Sequence, residues 1–370
     1  MRKLVVVTNI PTPYRVPLFN TLHHELAAAG WELHVVFGSR GNARRLWQIG
    51  PDQYRFPHTF LEGRNLRLGT ERIINTYGGL GRLLRDLRPT GLVCTGFSPG
   101  TMAAARYAKR ADVPLAIWSG AIPGSEATWW RRLQRRWLVG RSSGFLAYGT
   151  RAKDYLVDLG APAPRVHYAW NTVDTSRFDR LPGVRRPEPG APLRVLTVGY
   201  LERRKRVDLM LDAVAQARAL GYAVELDVVG DGGARPDLEA RSAALSLNGA
   251  VRFHGYRDYG ELEGFYAQAH LFAFSTARDI WGLVLCEAMA AGLPCLASVR
   301  AGATHDLVVD GETGFAVDFE RRDDVVGRLA ALAGANEWLE PMGQAGRNRI
   351  KEHFTLAHSS RGWVELVEQW

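Results

Sequence analysis

Cysteine is nearly absent: Cys94, Cys286 and Cys295 are the only three in 370 residues. They are widely spaced, odd in number and without a CxxC pair, which excludes a disulfide framework and a structural zinc knuckle and leaves buried thiols. Long apolar runs are absent too, and none approaches the roughly 20 residues that a membrane-spanning helix needs. The opening Met1-Arg2-Lys3-Leu4-Val5-Val6-Val7 begins like a signal peptide, but Asn9, Pro11, Pro13 and Arg15 break it early, so it reads as a buried strand. A cytoplasmic protein is expected. The same prolines stand where a dinucleotide-binding GxGxxG would follow the first strand, which argues against an NAD enzyme. No D-x-D metal motif, low-complexity tract or internal repeat is present.

Acidic residues are in deficit. Lys and Arg number 47 against 38 Asp and Glu, a formal charge of +9. That balance favours anionic partners such as nucleotide diphosphates, acidic lipid or nucleic acid. The basic residues are dispersed and no recognition motif accompanies them, so nucleic acid is the weakest of the three.

What the chain does have is alternation. Short β-branched runs at 4–8, 33–37, 91–95, 114–118, 145–148 and 166–169 predict strands, and 16–28, 71–87, 101–111 and 151–159 predict helices between them. Near-continuous apolar strands separated by helices indicate parallel sheets covered on both faces. The pattern breaks at 181–192, where Pro182, Pro187, Pro189 and Pro192 mark a linker. A second series starts at 193–199 and runs through 224–229, 251–254, 271–275 and 294–298. The expected organisation is a first α/β domain over 1–180 and a second, of similar size, over 193–355. The apolar C-terminal helix 356–370, carrying Trp363, Leu366, Val367 and Trp370, is expected to return to the first domain.

The densest chemistry lies at 275–292, Ser-Thr-Ala-Arg-Asp-Ile-Trp-Gly-Leu-Val-Leu-Cys-Glu-Ala-Met-Ala-Ala-Gly. A strand runs into a loop, and Gly282 opens a helix. Ligands of open α/β sheets sit beyond the carboxyl ends of the strands. The free N–H groups of Leu283 and Val284 suit a phosphate there, with Gly282 letting backbone approach. Asp279 in the loop and Glu287 inside the helix are placed to flank one ligand. The bland alternatives are a capping aspartate and a solvated helical glutamate, the latter at odds with the apolar neighbours Leu283, Val284, Met289 and Ala290.

Asp279-x7-Glu287 followed by Ala-Met-Ala-Ala-Gly-Leu-Pro resembles the E-x7-E region of glycosyltransferase family 4, the retaining enzymes of the GT-B fold. The resemblance implies two facing, doubly wound Rossmann-like domains with an interdomain cleft. It implies that the first acid contacts donor-sugar hydroxyls and the second the nucleotide ribose, with Asp279 one methylene shorter than the usual Glu. Gly199-Tyr200-Leu201-Glu202-Arg203-Arg204-Lys205 resembles the family's G-R-L-x-x-x-K, whose cations hold the diphosphate. Lys205 matches; Tyr200 replaces the Arg, which leaves Arg203 or Arg204 as substitutes. A basic run opening a helix opposes the macrodipole unless an anion binds there. Val229-Gly230-Asp231-Gly232-Gly233 is similar to the V-G-x-G turn beside the nucleotide. Phe253-His254-Gly255-Tyr256 is similar to the segment that reads the base, and Asn171-Thr172-Val173-Asp174 to the N-G-V-D closing the first domain.

On the acceptor side the residues say less. Tyr14 and Arg15 follow a stiff Pro11/Pro13 loop. Trp118-Ser119-Gly120 stands where relatives carry a histidine, with Glu126 as a substitute acid, and Asn171 completes the acceptor candidates. Residues 129–138 form a helix pattern whose Trp130, Leu133 and Trp137 make one apolar stripe ringed by arginines. Packing of that stripe on the domain core is the expected outcome, peripheral contact with an anionic bilayer the alternative.

The resemblance implies transfer of a hexose-type sugar, with retention, from a nucleoside-diphosphate sugar to a hydroxyl of a saccharide or lipid-linked saccharide, in cell-surface polysaccharide assembly. UDP is the favoured nucleotide and GDP the second; no cofactor and no metal are expected. Lys205 and Asp279 carry the catalytic assignment. Competing readings are a small natural-product acceptor and a GT-B epimerase or phosphorylase, the epimerase distinguished by loss of sugar configuration without an acceptor.

Overall fold

A computed structural model describes residues 1–41, 47, 49–62, 65–68, 72–125 and 128–370. The chain divides into two compact units, Met1–Asp174 with Leu356–Trp370, and Thr175–Thr355.

The first unit is built on a parallel sheet of seven strands among the described residues. These are β1 (Arg2–Thr8), β2 (Trp31–Phe37), β3 (His58–Phe60) and, beyond a separate antiparallel pair β4 (Asn65–Leu68) and β5 (Arg72–Asn75), β6 (Gly91–Thr95), β7 (Leu115–Ser119), β8 (Gly144–Ala147) and β9 (Val166–Tyr168). Their order is β3-β2-β1-β6-β7-β8-β9. The chain winds outward from β1 to β3, then crosses back to lay β6 on β1's other edge, so the order reverses between β1 and β6. Helices α1 (Arg15–Ala28), α2 (Leu80–Leu87), α3 (Pro99–Ala111), α4 (Trp129–Val139) and α5 (Thr150–Asp158) alternate with the strands. Val5, Val6 and Val93 are wholly buried, as expected for strands covered on both faces.

The second unit repeats the plan with six strands: β10 (Leu193–Val198), β11 (Val224–Val229), β12 (Val251–Gly255), β13 (Leu271–Phe274), β14 (Cys295–Ser298) and β15 (Gly314–Val317), in the order β12-β11-β10-β13-β14-β15. Its reversal falls between β10 and β13. Its helices are α6 (Val207–Ala219), α7 (Arg235–Ala244), α8 (Leu262–Gln268), α9 (Leu283–Ala290), α10 (Thr304–Leu307), α11 (Arg322–Gly334) and α12 (Leu339–His353). The chain then returns to the first unit as α13 (Leu356–Glu368). Trp363 of α13 packs edge-on against Trp118 with ring centroids 4.9 Å apart, and Trp370 against Trp31 at 6.2 Å. Each such pair contributes about 0.5–1.5 kcal/mol beyond the area it buries.

Three expectations are corrected. The helix expected over 71–87 is a strand and then a helix: β5 takes the β-branched Ile73-Ile74, Gly78-Gly79 interrupts, and α2 starts at Leu80. The segment 181–192 is no free linker. The unit boundary lies ahead of it, at Asp174/Thr175. Its first residues are bonded into the second unit, where Val184 N–H donates to Gly292 and Arg347 to the Leu181 carbonyl. The stripe of α4 does not pack on the core: Trp130 is 50% exposed, Leu133 56% and Trp137 36%. The opposite side of the helix faces inward instead, with Leu138 and Val139 buried, Gln134 on Met102 and Arg135 on Ser125 and Tyr155.

Cys94, Cys286 and Cys295 are buried and unbridged, and burial pushes the Cys94 and Cys295 thiols well up. Among the described residues no helix is long and apolar enough to cross a membrane.

Candidate active site

In a doubly wound sheet the crevice opens where the strand order reverses, at the carboxyl ends of the two diverging strands. In the second unit those strands are β10 and β13. The chain leaving β10 passes Gly199, Tyr200, Leu201 and Glu202 into a single 3-10 turn, Arg203–Lys205, before α6. The chain leaving β13 passes Ser275 to Trp281 before α9. Hydrogen bonds to two backbone carbonyls fasten the loops together: Ala277 N–H donates to the Arg204 carbonyl at 2.8 Å, and the Ser275 and Thr276 hydroxyls donate to the Lys205 and Arg204 carbonyls.

Side chains meet across this junction. Lys205 Nζ lies 2.7 Å from Asp279 Oδ2, with both side chains about 15% exposed (15% and 16%). Arg204 reaches the same oxygen at 3.4 Å and Glu202 at 2.7 Å. Burial works to raise the Asp279 carboxyl, but Lys205, Arg204 and the Trp281 N–H outweigh it and hold the group below its ordinary value. Asp279 is therefore an ionised acceptor at neutral pH. Lys205 also stands 5.0 Å over the Phe274 ring, which limits its freedom. Arg203, by contrast, is 90% exposed and turned toward Asp237.

Two glycines make the approach feasible. Gly230 has φ +134°, and a Cβ there would sit 1.9 Å from the Gly199 carbonyl oxygen, so the turn after β11 lies directly against the turn after β10. Gly282, at φ +115°, precedes α9, where a Cβ would strike the Phe274 ring at 2.5 Å. The first N–H groups of α9, around Leu283 and Val284, have no partner within the helix and carry the positive end of its dipole.

Glu287 has a different setting. It is 5% exposed on a helix buried from Leu285 to Ala290, and its carboxylate accepts from the Tyr266 hydroxyl at 2.8 Å. Burial wins over the opposing pull of Tyr266, Arg177 and Tyr259, and pushes the carboxyl up to about 7. Arg177 is itself held by Glu263 at 2.9 Å and stacked on Tyr259 at 3.7 Å. Lys205, Arg204 and Asp279 thus form one cluster, and Glu287 sits in a separate shell of phenols. Tyr256 is 39% exposed and donates to Asp258 at 3.1 Å. Tyr200 is 41% exposed.

In the first unit, Arg15 donates to Thr8 Oγ1 at 2.8 Å and to the Tyr148 hydroxyl at 2.5 Å, and lies 4.8 Å over Trp118. Tyr77 donates to Asn9, and burial pushes its phenol up to about 12. Ser119 is buried, its hydroxyl accepting from Ala121 N–H at 3.1 Å; Asn171 is buried, its N–H bonded to the Tyr148 carbonyl. Tyr14 precedes α1 without capping it through its side chain. Glu126 lies outside the described residues.

Sequence reasoning missed Glu202, Tyr266, Tyr259 and Arg177. No spacing rule links Tyr266 to a glutamate 21 positions on, in the next helix but one strand away. Glu202 was visible as the acid opening the Arg-Arg-Lys run.

Residues 185–349 match the family model described as glycosyl transferases group 1, and residues 19–172 that of a glycosyl transferase 4-like domain. A D-inositol 3-phosphate glycosyltransferase of Rhodococcus opacus is 30% identical over 302 residues, 78% of this chain and 64% of that protein. Sulfoquinovosyl transferase SQD2 of Arabidopsis thaliana is 29% identical over 292 residues, 71% of this chain and 54% of that one. The matches thus span less than two thirds of these relatives' length. Among solved structures, Anabaena Alr3699/HepE in complex with UDP superposes with a TM-score of 0.79 over 100% of both chains at 16% identity. The apo lipopolysaccharide outer core galactosyltransferase WaaB does so at 0.75 over 99% of both, also at 16%. At such identity the likeness is one of fold: two parallel-sheet, Rossmann-like units of the GT-B type.

Proposed function

The chain belongs to the group 1 glycosyltransferases, and from that membership we propose that it moves a hexose-type sugar, with retention, from a nucleoside-diphosphate sugar to a hydroxyl acceptor. The observation that carries this reading is the meeting of Lys205 with Asp279 at the switch point of the second sheet. One cation and one ionised acceptor suit a ligand that is anionic at one end and rich in hydroxyls at the other. UDP is the favoured nucleotide, supported by the UDP bound in the Anabaena protein of like fold.

In this reading Lys205 and the N–H groups of Leu283 and Val284 face the diphosphate, with Arg204, which reaches Asp279, as the second cation and the Gly199 and Gly230 turns giving it room. Asp279 exchanges Lys205 for sugar hydroxyls, Glu287 answers the ribose, and Tyr256 lies beside the base. The bond between the anomeric carbon and the phosphate oxygen breaks as one to the acceptor oxygen forms on the same face. The acceptor's proton passes to the departing phosphate oxygen. Fixed positive groups at the leaving oxygen provide the main electrostatic stabilisation, and one such donor is worth about 10²–10³ in rate. No metal or other cofactor is invoked.

The acceptor is assigned to the rim of the first unit, near Tyr14, Arg15, Ser119 and Asn171, and to the saccharide or lipid-linked saccharide class. A lipid-linked acceptor places the reaction at the cytoplasmic face of the membrane, in cell-surface polysaccharide assembly. The test is turnover of UDP-glucose, UDP-galactose and GDP-mannose with saccharide acceptors in the presence of EDTA, read by nucleotide release and by the anomeric NMR signal of the product. An α-linked product supports the proposal. An inverted product, metal dependence, or a C2 epimer formed without acceptor contradicts it.

A further inference from the structure

We propose that the exposed face of α4 seats the protein on an anionic lipid bilayer. The observation is an inverted helix. At about 100° per residue, Arg136, Trp129, Leu133, Trp137 and Trp130 fall within a single arc of roughly 120°. The same arc is the one left open: Trp129 is 76% exposed, Trp130 50%, Leu133 56% and Trp137 36%. The side turned to the first unit carries polar groups as well as apolar ones, Arg135 being held by Ser125 and Tyr155 at 2.7 and 2.8 Å. A single exposed indole is ordinary on a soluble protein; three of them contiguous with a leucine are not.

Charge selects the occupant. Arg131 lies 5.3 Å from the Trp130 ring and Arg141 4.0 Å from the Trp137 ring, so guanidinium groups stand at the level of the indoles. Arg136 is exposed within the arc itself. Indoles at the headgroup level with arginines beside them match the phosphate and acyl boundary of an anionic leaflet. A second copy of the chain, docked face to face, would bring these arginines against one another, because an isologous contact pairs a patch with itself. The seat depends on the surface of α4 alone and not on the transfer reaction.

The experiment is flotation of the full chain with vesicles of phosphatidylcholine alone or with about 30% phosphatidylglycerol, at low and high salt, beside sedimentation of the free protein. Wild type should float with the anionic vesicles and be released by salt. Trp130→Ser with Trp137→Ser should lower the bound fraction about ten-fold, and Arg136→Ala or Arg141→Ala about five-fold each. These side chains are exposed, so the variants should keep the wild-type thermal shift with UDP, which separates a lost seat from a lost fold or a lost donor site. No flotation, equal flotation on neutral vesicles, or variants that float like wild type would overturn the proposal. So would a concentration-dependent dimer that the tryptophan variant abolishes without any vesicle binding.

Discussion

At the switch point of the first sheet, Arg15 spends its donors on Thr8 and Tyr148 beneath Trp118, and Tyr77 closes on Asn9. At the switch point of the second, Lys205 and Arg204 converge on one oxygen of Asp279. The two sheets are wound alike, yet the first rim sets one guanidinium among rings and hydroxyls, with Arg15 Nε and Trp118 Nε1 buried without a hydrogen-bond partner among the described residues, and the second joins its cations to carboxylates. The lesson is that the shared architecture supplies only a place. Local residues decide what it takes, and an ion pair can open toward an anion more readily than a cation locked under rings can. Prolines 11 and 13 after β1, and glycines 199, 230 and 282 after β10, β11 and β13, set that difference.

The comparison breaks most sharply at Lys205. Lys205→Ala should reduce transfer about 10²–10³-fold by removing charge from the leaving diphosphate, measured as kcat for nucleotide release. Gly230→Ala should cost about 3 kcal/mol in denaturant unfolding, since its Cβ would overlap the Gly199 carbonyl at a backbone angle that L residues avoid.

The acids sharpen the contrast within the second unit. Glu287 is raised from an ordinary 4.5 to about 7 in the fold. Its protonated form is the favoured one, so this site's stability is full below the ordinary carboxyl range, is lost as pH climbs through about 7, and is absent above it. Glu287→Gln keeps an acceptor for Tyr266 without the charge. Its stability relative to wild type should therefore rise between pH 5 and pH 8, by about 3 kcal/mol at most. Asp279, held low by its cations, runs the other way and loses stabilisation only in acid. Arg15→Ala should lower stability by about 1–3 kcal/mol through the orphaned Tyr148 hydroxyl while leaving UDP affinity unchanged. The smallest effect is expected at Arg203, which is 90% exposed: Arg203→Ala should change UDP affinity less than about two-fold.

Most strands of both sheets were legible as short apolar runs set between helical patterns, whether rich in valine, as β1 and β11 are, or without a β-branched residue, as β8 and β13 are. β3 and β15 are short, with three and four residues, β15 opens on glycine, and β4 and β5 set their apolar residues among Asn and Arg. At the site, motif order singled out Lys205 and Asp279, but that they touch, 74 positions apart, is a consequence of the sheet's reversal. The phenols around Glu287 were hidden for the same reason. The α4 stripe shows the opposite limit. Periodicity establishes that Trp130, Leu133 and Trp137 share a face, but not whether the core or the solvent receives it.

The most direct test of the ionic rim as the nucleotide site is a thermal-shift panel of UDP, GDP, dTDP, ADP, CMP and NAD on wild type, Lys205→Ala and Arg15→Ala. A ligand at about 100 times its dissociation constant stabilises by about 2.7 kcal/mol, a clear shift. Wild type and Arg15→Ala should both shift with UDP, and Lys205→Ala should not. A shift that survives in Lys205→Ala but vanishes in Arg15→Ala, or one produced by NAD alone, would contradict the ionic rim as the nucleotide site.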